Sequence, residues 1–195
     1  MNESDVYAYG IPIVLLLIFA EVAYSSIKGL NYYNFKDTFA GIGLLLGNFL
    51  IGLMTKSSIF FIYVYVYKFK LITINDVLPV WAVWVVTFIA IDFVYYWYHR
   101  FSHRVRFMWA VHMNHHSSEE MNFTVSLRQA WFGPITKVPF FIVMPLIGFD
   151  PIITAVAGVA STLWGVIGHT QWIRRLGILE YILVTPSSHR VHHGS

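Results

Sequence analysis

All nine histidines of this chain lie beyond residue 98, and eight of them fall into three clusters. His99 and His103 form an H-x3-H pair. His112, His115 and His116 form H-x2-H-H, and His189, His192 and His193 repeat that spacing. His169 stands alone at the end of an apolar run. Neutral imidazole is the commonest protein metal ligand near neutral pH. On a helix, residues three or four apart share a face, so each cluster presents its imidazoles together. A mononuclear zinc site uses three or four protein ligands. Eight or nine imidazoles exceed that and suit two ions. Imidazole favours iron, zinc, copper or nickel, whereas carboxylate-rich sites favour magnesium, calcium or manganese. His169 by itself reads as an interfacial histidine. Beside three clusters it becomes a candidate ninth ligand, or an imidazole supporting the ligands from behind.

Two carboxylates are candidate catalytic residues. Asp92 precedes His99 by seven residues, two helical turns along one face, where it can orient that imidazole. Glu119 follows the second cluster directly. A carboxylate within an apolar span is costly and therefore a functional suspect, which also draws attention to Glu21. Hydrogen bonding within the helix bundle is the competing role for Asp92. Ser117-x-x-Glu120 has capping-box spacing, so helix capping is the expected task of Glu120. Thr185 followed by Pro186 reads as the N-cap and first position of a helix carrying the third cluster.

The elements that must position these groups are apolar. The chain is 57% hydrophobic and only 12% charged, against about 25% charged residues in soluble domains. Cysteine is absent, which removes disulfides, thiolate clusters and cysteine nucleophiles. A bilayer-spanning helix needs about 20 mostly apolar residues. Candidate spans cover residues 8–24, 39–67 and 79–98, the second being one tilted helix or a broken one. Residues 134–149 and 151–168 read as a hairpin turning at Gly148, Asp150 and Pro151. Tyr95, Tyr96, Trp97 and Tyr98 suit a membrane–water interface. The expected fold is an all-α, multi-span integral membrane helix bundle of four to five spans with a cytoplasmic histidine-rich helical cap.

Charge sets the expected orientation. With the N-terminus outside, Lys28, Lys36, Arg100, Arg104, Arg106, Arg128, Lys137, Arg174, Arg175 and Arg190 fall on inner segments, and Lys68 and Lys70 on an outer loop. This asymmetry places the histidines on the cytoplasmic side. The formal charge of +3 is then positive-inside bias, with no case for nucleic acid as a partner.

A many-histidine site beside apolar helices points to a lipid substrate. Lipids offer unactivated C–H bonds, whose oxidation needs oxygen and a redox metal, so two iron ions fit better than zinc. No haem or flavin module is visible, and the reductant must be an external electron donor. A transition-metal transporter is the alternative of another class, but transporters hold their ligands near the bilayer midplane. A bis-histidine haem protein needs only paired axial ligands and leaves the clusters unexplained.

At these residues the chain resembles the fatty acid hydroxylase/sterol desaturase superfamily of membrane di-iron enzymes, which carries the three histidine boxes in this order. The resemblance covers about residues 79–195, and residues 1–78 match only as generic N-terminal transmembrane helices. Met108-Trp-Ala, His115-His-Ser-Ser-Glu119, Leu127-Arg-Gln129, His169-Thr170 and Thr185-Pro-Ser-Ser-His-Arg-Val-His-His-Gly194 most resemble the alkylglycerol monooxygenases and their bacterial relatives. The resemblance implies a lipid monooxygenase hydroxylating the carbon beside an ether oxygen, with tetrahydrobiopterin as reductant in animals. A sterol or fatty-acyl hydroxylase or desaturase is the runner-up. The implied membrane is the bacterial inner membrane or the endoplasmic reticulum. Arg104 stands where animal members carry an acid. The chain ends just after His-His-Gly, where relatives continue, so the catalytic domain at 79–195 is expected to be incomplete at its C-terminus.

Overall fold

The computed structural model describes residues 3–194, and within them every regular element is helical. Two long helices open the chain, α1 (Glu3–Ile27) and α2 (Phe35–Tyr67). A short helix α3 (Ile74–Val77) leads to α4 (Val80–Arg104) and α5 (Arg106–His112). Then follow a 3-10 turn (Phe123–Leu127), α6 (Gly133–Phe141), α7 (Val143–Ile147) and α8 (Pro151–Ile167). A second 3-10 turn (Gly177–Tyr181) and α9 (Pro186–His193) complete the described part.

Three of these helices are long and apolar enough to cross a bilayer: Ala8–Ile27 within α1, then α2 and α4. Their outward faces are greasy. Leu16, Phe19, Leu53, Phe61, Ile89 and Phe93 are all more than half exposed, the arrangement expected where lipid rather than water is the solvent. Inside, Val83, Ile91 and Val94 of α4 pack against Ile74, Met144, Phe149 and Ala157. The 39–67 stretch is one unbroken helix. Asn34 starts it, its side-chain carbonyl accepting from the backbone N–H groups of Lys36 and Asp37 at 2.9 and 3.3 Å.

The hairpin at 133–167 has shorter arms, yet it runs the depth of the bundle. One arm breaks between α6 and α7 at Ile142. Pro145 explains the break, since its ring clashes with the carbonyl four residues earlier and it has no N–H to donate. The other arm, α8, starts where Asp150 Oδ1 accepts from Ile152 and Ile153 N–H groups at 2.8 and 3.1 Å. At the tip, the Leu71 and Ile72 N–H groups donate to the carbonyls of Leu146 and Ile147 at 2.9 and 3.3 Å. Gly148 makes this docking possible. Its φ is +124°, and a Cβ there would lie 2.0 Å from the Ile72 carbonyl oxygen. The tip thus sits by the start of α4, while α8 returns over about 25 Å to His169 beside the end of α4.

The histidine end carries a cap. The first half of α2 holds it: Asn48 Nδ2 donates to the Ala130 carbonyl at 2.6 Å, and a Cβ on Gly47 would strike the Trp131 indole at 2.0 Å.

Candidate metal centre

Helix α4 continues past the bilayer stretch and carries His99 and His103 one turn apart, with ring centroids 4.9 Å from each other. Helix α5 ends at His112, and the chain then turns, with the His115 N–H donating to the His112 carbonyl at 2.9 Å. The second cluster therefore straddles a helix end and a turn, where a continuous helix was expected. The third cluster lies on α9 as expected. Thr185 caps it through the Ser188 N–H, and Ser188 reciprocates toward the Thr185 backbone.

The nine histidines converge into two groups. His99, His103, His112, His116 and His192 each offer a ring nitrogen within 4.8 Å of the others, and His115, His169, His189 and His193 do the same. The H-x2-H-H spacing explains the division. On α9 successive residues are about 100° apart, so i and i+4 share a face while i+3 falls on the other side of it, and the turn after α5 divides its own triplet in the same pattern. His112 and His116 enter the five-histidine group while His115 enters the four. In α9 the roles reverse: His189 and His193 enter the group of four while His192 crosses to the five. The expectation of one shared face per cluster is corrected accordingly. Each triplet links both groups, which abut where the His116 and His193 rings stack at 4.3 Å.

The nitrogens fit cations better than they fit one another. His99 and His192 Nε2 atoms lie 2.8 Å apart, and those of His112 and His116 3.1 Å. His169 Nε2 lies 3.0 Å from both His115 Nε2 and His189 Nε2. His169 Nδ1–H donates to the Gly165 carbonyl at 2.8 Å, which leaves Nε2 as the lone pair. One lone pair cannot accept well from two neighbours. Nitrogens gathered this closely suit a shared cation, whose bonds to imidazole are about 2.0–2.1 Å. Four further ring nitrogens are buried without a hydrogen-bond partner: His99 Nδ1, His103 Nε2, His115 Nδ1 and His193 Nε2. Burial, reinforced by neighbouring imidazoles, lowers His116 to about 4 and His189 to about 3, and burial lowers His169 to about 4. Their rings are therefore neutral near pH 7, with lone pairs free for a metal.

The two candidate catalytic carboxylates are both on the surface. Asp92 is exposed on α4, and Glu119 is exposed after the second cluster. Among the described residues neither carboxylate hydrogen-bonds to a histidine. The cap covers His99, but two turns lower the same face of α4 is turned outward. The Ser117/Glu120 capping box is also absent, because no helix starts there. Ser117 Oγ instead donates to the Asn114 carbonyl at 2.8 Å and accepts from Arg128 Nη1 at 2.6 Å.

Arg128 is a supporting residue that spacing alone did not single out. It is buried and pairs with Asp37 near the start of α2, whose other carboxylate oxygen accepts from Ser118 Oγ at 2.7 Å. The turn after His116 is thereby tied to α2. Arg190, within the third cluster, donates through Nη1 to the Thr170 and Ile173 carbonyls at 2.6 and 2.8 Å. It fastens α9 to the loop after His169. The only advance signal for Arg128 was its place in Leu127-Arg-Gln129, one of the segments carrying the resemblance.

Known proteins are similar to more than half of this chain. A Xenopus tropicalis alkylglycerol monooxygenase is 42% identical over 133 residues, covering 68% of this chain and 29% of that protein. The Homo sapiens alkylglycerol monooxygenase is 44% identical over 111 residues, 57% of this chain and 25% of its own length. The Danio rerio protein of the same name is 40% identical over 111 residues, with the same coverage. The chain thus spans less than a third of these relatives. No solved structure matches it. The family model for fatty acid hydroxylase matches residues 84–195, the stretch that holds all nine histidines, and the chain accordingly belongs to the fatty acid hydroxylase family.

Proposed function

We propose that this chain carries the metal site of a membrane monooxygenase that hydroxylates a lipid C–H bond, with an ether glycerolipid as substrate. The observation that carries the reading is the division of nine imidazoles into groups of five and four around two adjacent centres. His99, His103, His112, His116 and His192 would hold one iron, and His115, His169, His189 and His193 the other. Bound iron would supply oxygen activation, one oxygen atom entering the C–H bond and the other leaving as water, with two electrons from an external donor such as tetrahydrobiopterin. The chain's own groups do the rest. Gly165 fixes the His169 ring so that Nε2 faces the centre. Trp109 covers His103 and His116 at 5.3 and 5.7 Å, limiting water. An apolar groove of about 440 Å³ between α2 and α6, walled by Met54, Ile59, Ile62, Ile135 and Val138, has room for an alkyl chain. Thr136 on the same α6 hydrogen-bonds Tyr98 at 3.3 Å, one residue before His99.

The ether substrate follows the alkylglycerol monooxygenase relatives. The all-imidazole donor set supports a metal oxygenase more generally. The histidines lie at and beyond the helix ends, which disfavours a transporter with midplane ligands. The test is metal analysis and lipid analysis on one preparation. Two iron ions per chain, without haem, and oxygen-dependent loss of ether lipids from membranes carrying the full-length protein are expected. One ion or none would overturn the two-metal reading. Two ions with unchanged ether lipids and a new hydroxysterol or hydroxyacyl product would move the substrate to another branch of the family.

A further inference from the structure

Helix α1 lies wholly before the family match, which begins at residue 84. It nevertheless buries one carboxyl side chain against the residue that follows His169. Glu21 is fully buried, with 0% exposure, and among the described residues it is the only buried acid. A carboxylate removed from water is costly unless it is hydrogen-bonded and its charge is answered. Hydrogen bonds come from three separate segments. Tyr33 Oη donates to Glu21 Oε2 at 2.6 Å, and the Phe123 N–H donates to the same oxygen at 2.9 Å. The Thr170 hydroxyl donates to Oε1. All three donors are neutral, and among the described residues no cationic side chain forms an ion pair with Glu21.

The charge answering it has to come from elsewhere, and Thr170 shows the direction. Thr170 is itself fully buried and follows His169 directly in the chain. Its carbonyl accepts from Arg190, between His189 and His192 of α9. Two residues on, Trp172 stacks on Tyr24 of α1 at 5.1 Å. The His169 segment is therefore clamped between α1 and α9. The centre it serves is built from neutral imidazoles alone, so a divalent ion held there brings two positive charges that no ligand cancels.

On the two-metal reading above, we propose that Glu21 is a positioning residue for the four-histidine group. Through Thr170 it fixes His169, and its buried carboxylate offsets the charge of the metal that His115, His169, His189 and His193 hold. The N-terminal helix is then part of the metal site as well as an anchor in the bilayer. Among the described residues no buried carboxylate supports the five-histidine group, so the two centres differ in their dependence on α1.

The experiment uses the intact protein in membranes or mild detergent and reads metal, not turnover. Glu21→Gln keeps the shape and removes the charge. Iron per chain is measured as a chelator is titrated. Removal of a group supporting a metal ligand typically weakens binding by about 10–100-fold. Glu21→Gln is expected to release about one of the two ions at about 10–100-fold lower chelator, with the second ion held as in the unaltered protein. Thr170→Val should do the same, and Thr170→Ser, which keeps the hydroxyl, should restore wild-type retention. Should Glu21→Gln fail to fold by circular dichroism, the Thr170 pair decides. Loss in Val with retention in Ser supports the link, and equal behaviour of the two overturns it. Two ions held at wild-type chelator resistance in Glu21→Gln would overturn this inference while leaving the two-metal reading intact. Fewer than two ions in the unaltered protein would overturn both.

Discussion

His169 shows what a single residue contributes. It lies outside the three clusters, yet its Nε2 sits 3.0 Å from two other imidazoles while its Nδ1–H is held by the Gly165 carbonyl. That hydrogen bond selects the tautomer with the lone pair aimed at the group of four. His169→Ala removes one of four donors from one centre and none from the other. The expected result is loss of about one metal ion per chain, with the five-histidine ion retained. Elemental analysis of purified protein checks it, and full retention of both ions would reduce His169 to an interfacial histidine. The nine candidate donors could be read from residue type and spacing, because i, i+3, i+4 patterns survive in any helical context. Their partition could not. It depends on α9 approaching from the opposite side to α5, and that approach is fixed by Arg190 and by the α8 hairpin. Asp92 shows the converse. Its register with His99 was right, but register along one helix says nothing about where the covering cap ends.

At the level of elements, turns and caps decide the packing. The start of α9 was readable from Thr185 and Pro186 because capping is local. The stretch after His116 misled, because Ser117-x-x-Glu120 is a local pattern that a distant arginine overrides. Arg128 takes Ser117 and pairs with Asp37, joining α2 to the second histidine cluster across 91 residues of chain. Arg128→Met leaves Asp37 without its partner and frees the turn. Breaking a buried ion pair by removing one member typically costs about 3–5 kcal/mol. Asp37 is partly exposed, with 18% side-chain accessibility, so the expected loss is nearer about 2 kcal/mol. Thermal unfolding in detergent measures it. The second hinge is Gly148. Gly148→Ala meets both a left-handed backbone and the Ile72 carbonyl, and should cost on the order of 3 kcal/mol or more. Gly177→Ala is the control. Its φ is +63° but nothing lies within 4 Å of a Cβ there, so about 1 kcal/mol is expected. Equal shifts in unfolding midpoint for the two variants would show that the hairpin tip is not docked on Ile72.

For the whole molecule, the lysine and arginine asymmetry and the depth of the hairpin bear on the same question. The hairpin arms are shorter than α1, α2 and α4. Whether they cross the bilayer or dip into it, they start and finish at the histidine end, because Gly133 and Ile167 both lie there and the tip lies beside Ile72. The side on which the histidines sit is therefore fixed by α1, α2 and α4 alone. Odd crossings put the start of α1 and the histidine end on opposite faces. Positive-inside bias predicts that the histidine end faces the cytoplasm and the α2–α4 connection the outside. Cysteine is absent from the chain, so single cysteines report without background. Ser102 is unsuitable for this, being 1% exposed, whereas Lys68 and Arg175 are exposed at opposite ends of the bundle. Lys68→Cys should react with a membrane-impermeant maleimide in intact cells. Arg175→Cys should react only after lysis, because the bilayer shields the histidine end. The reverse pattern would invert the topology and require the external electron donor to reach the metals from the outer face.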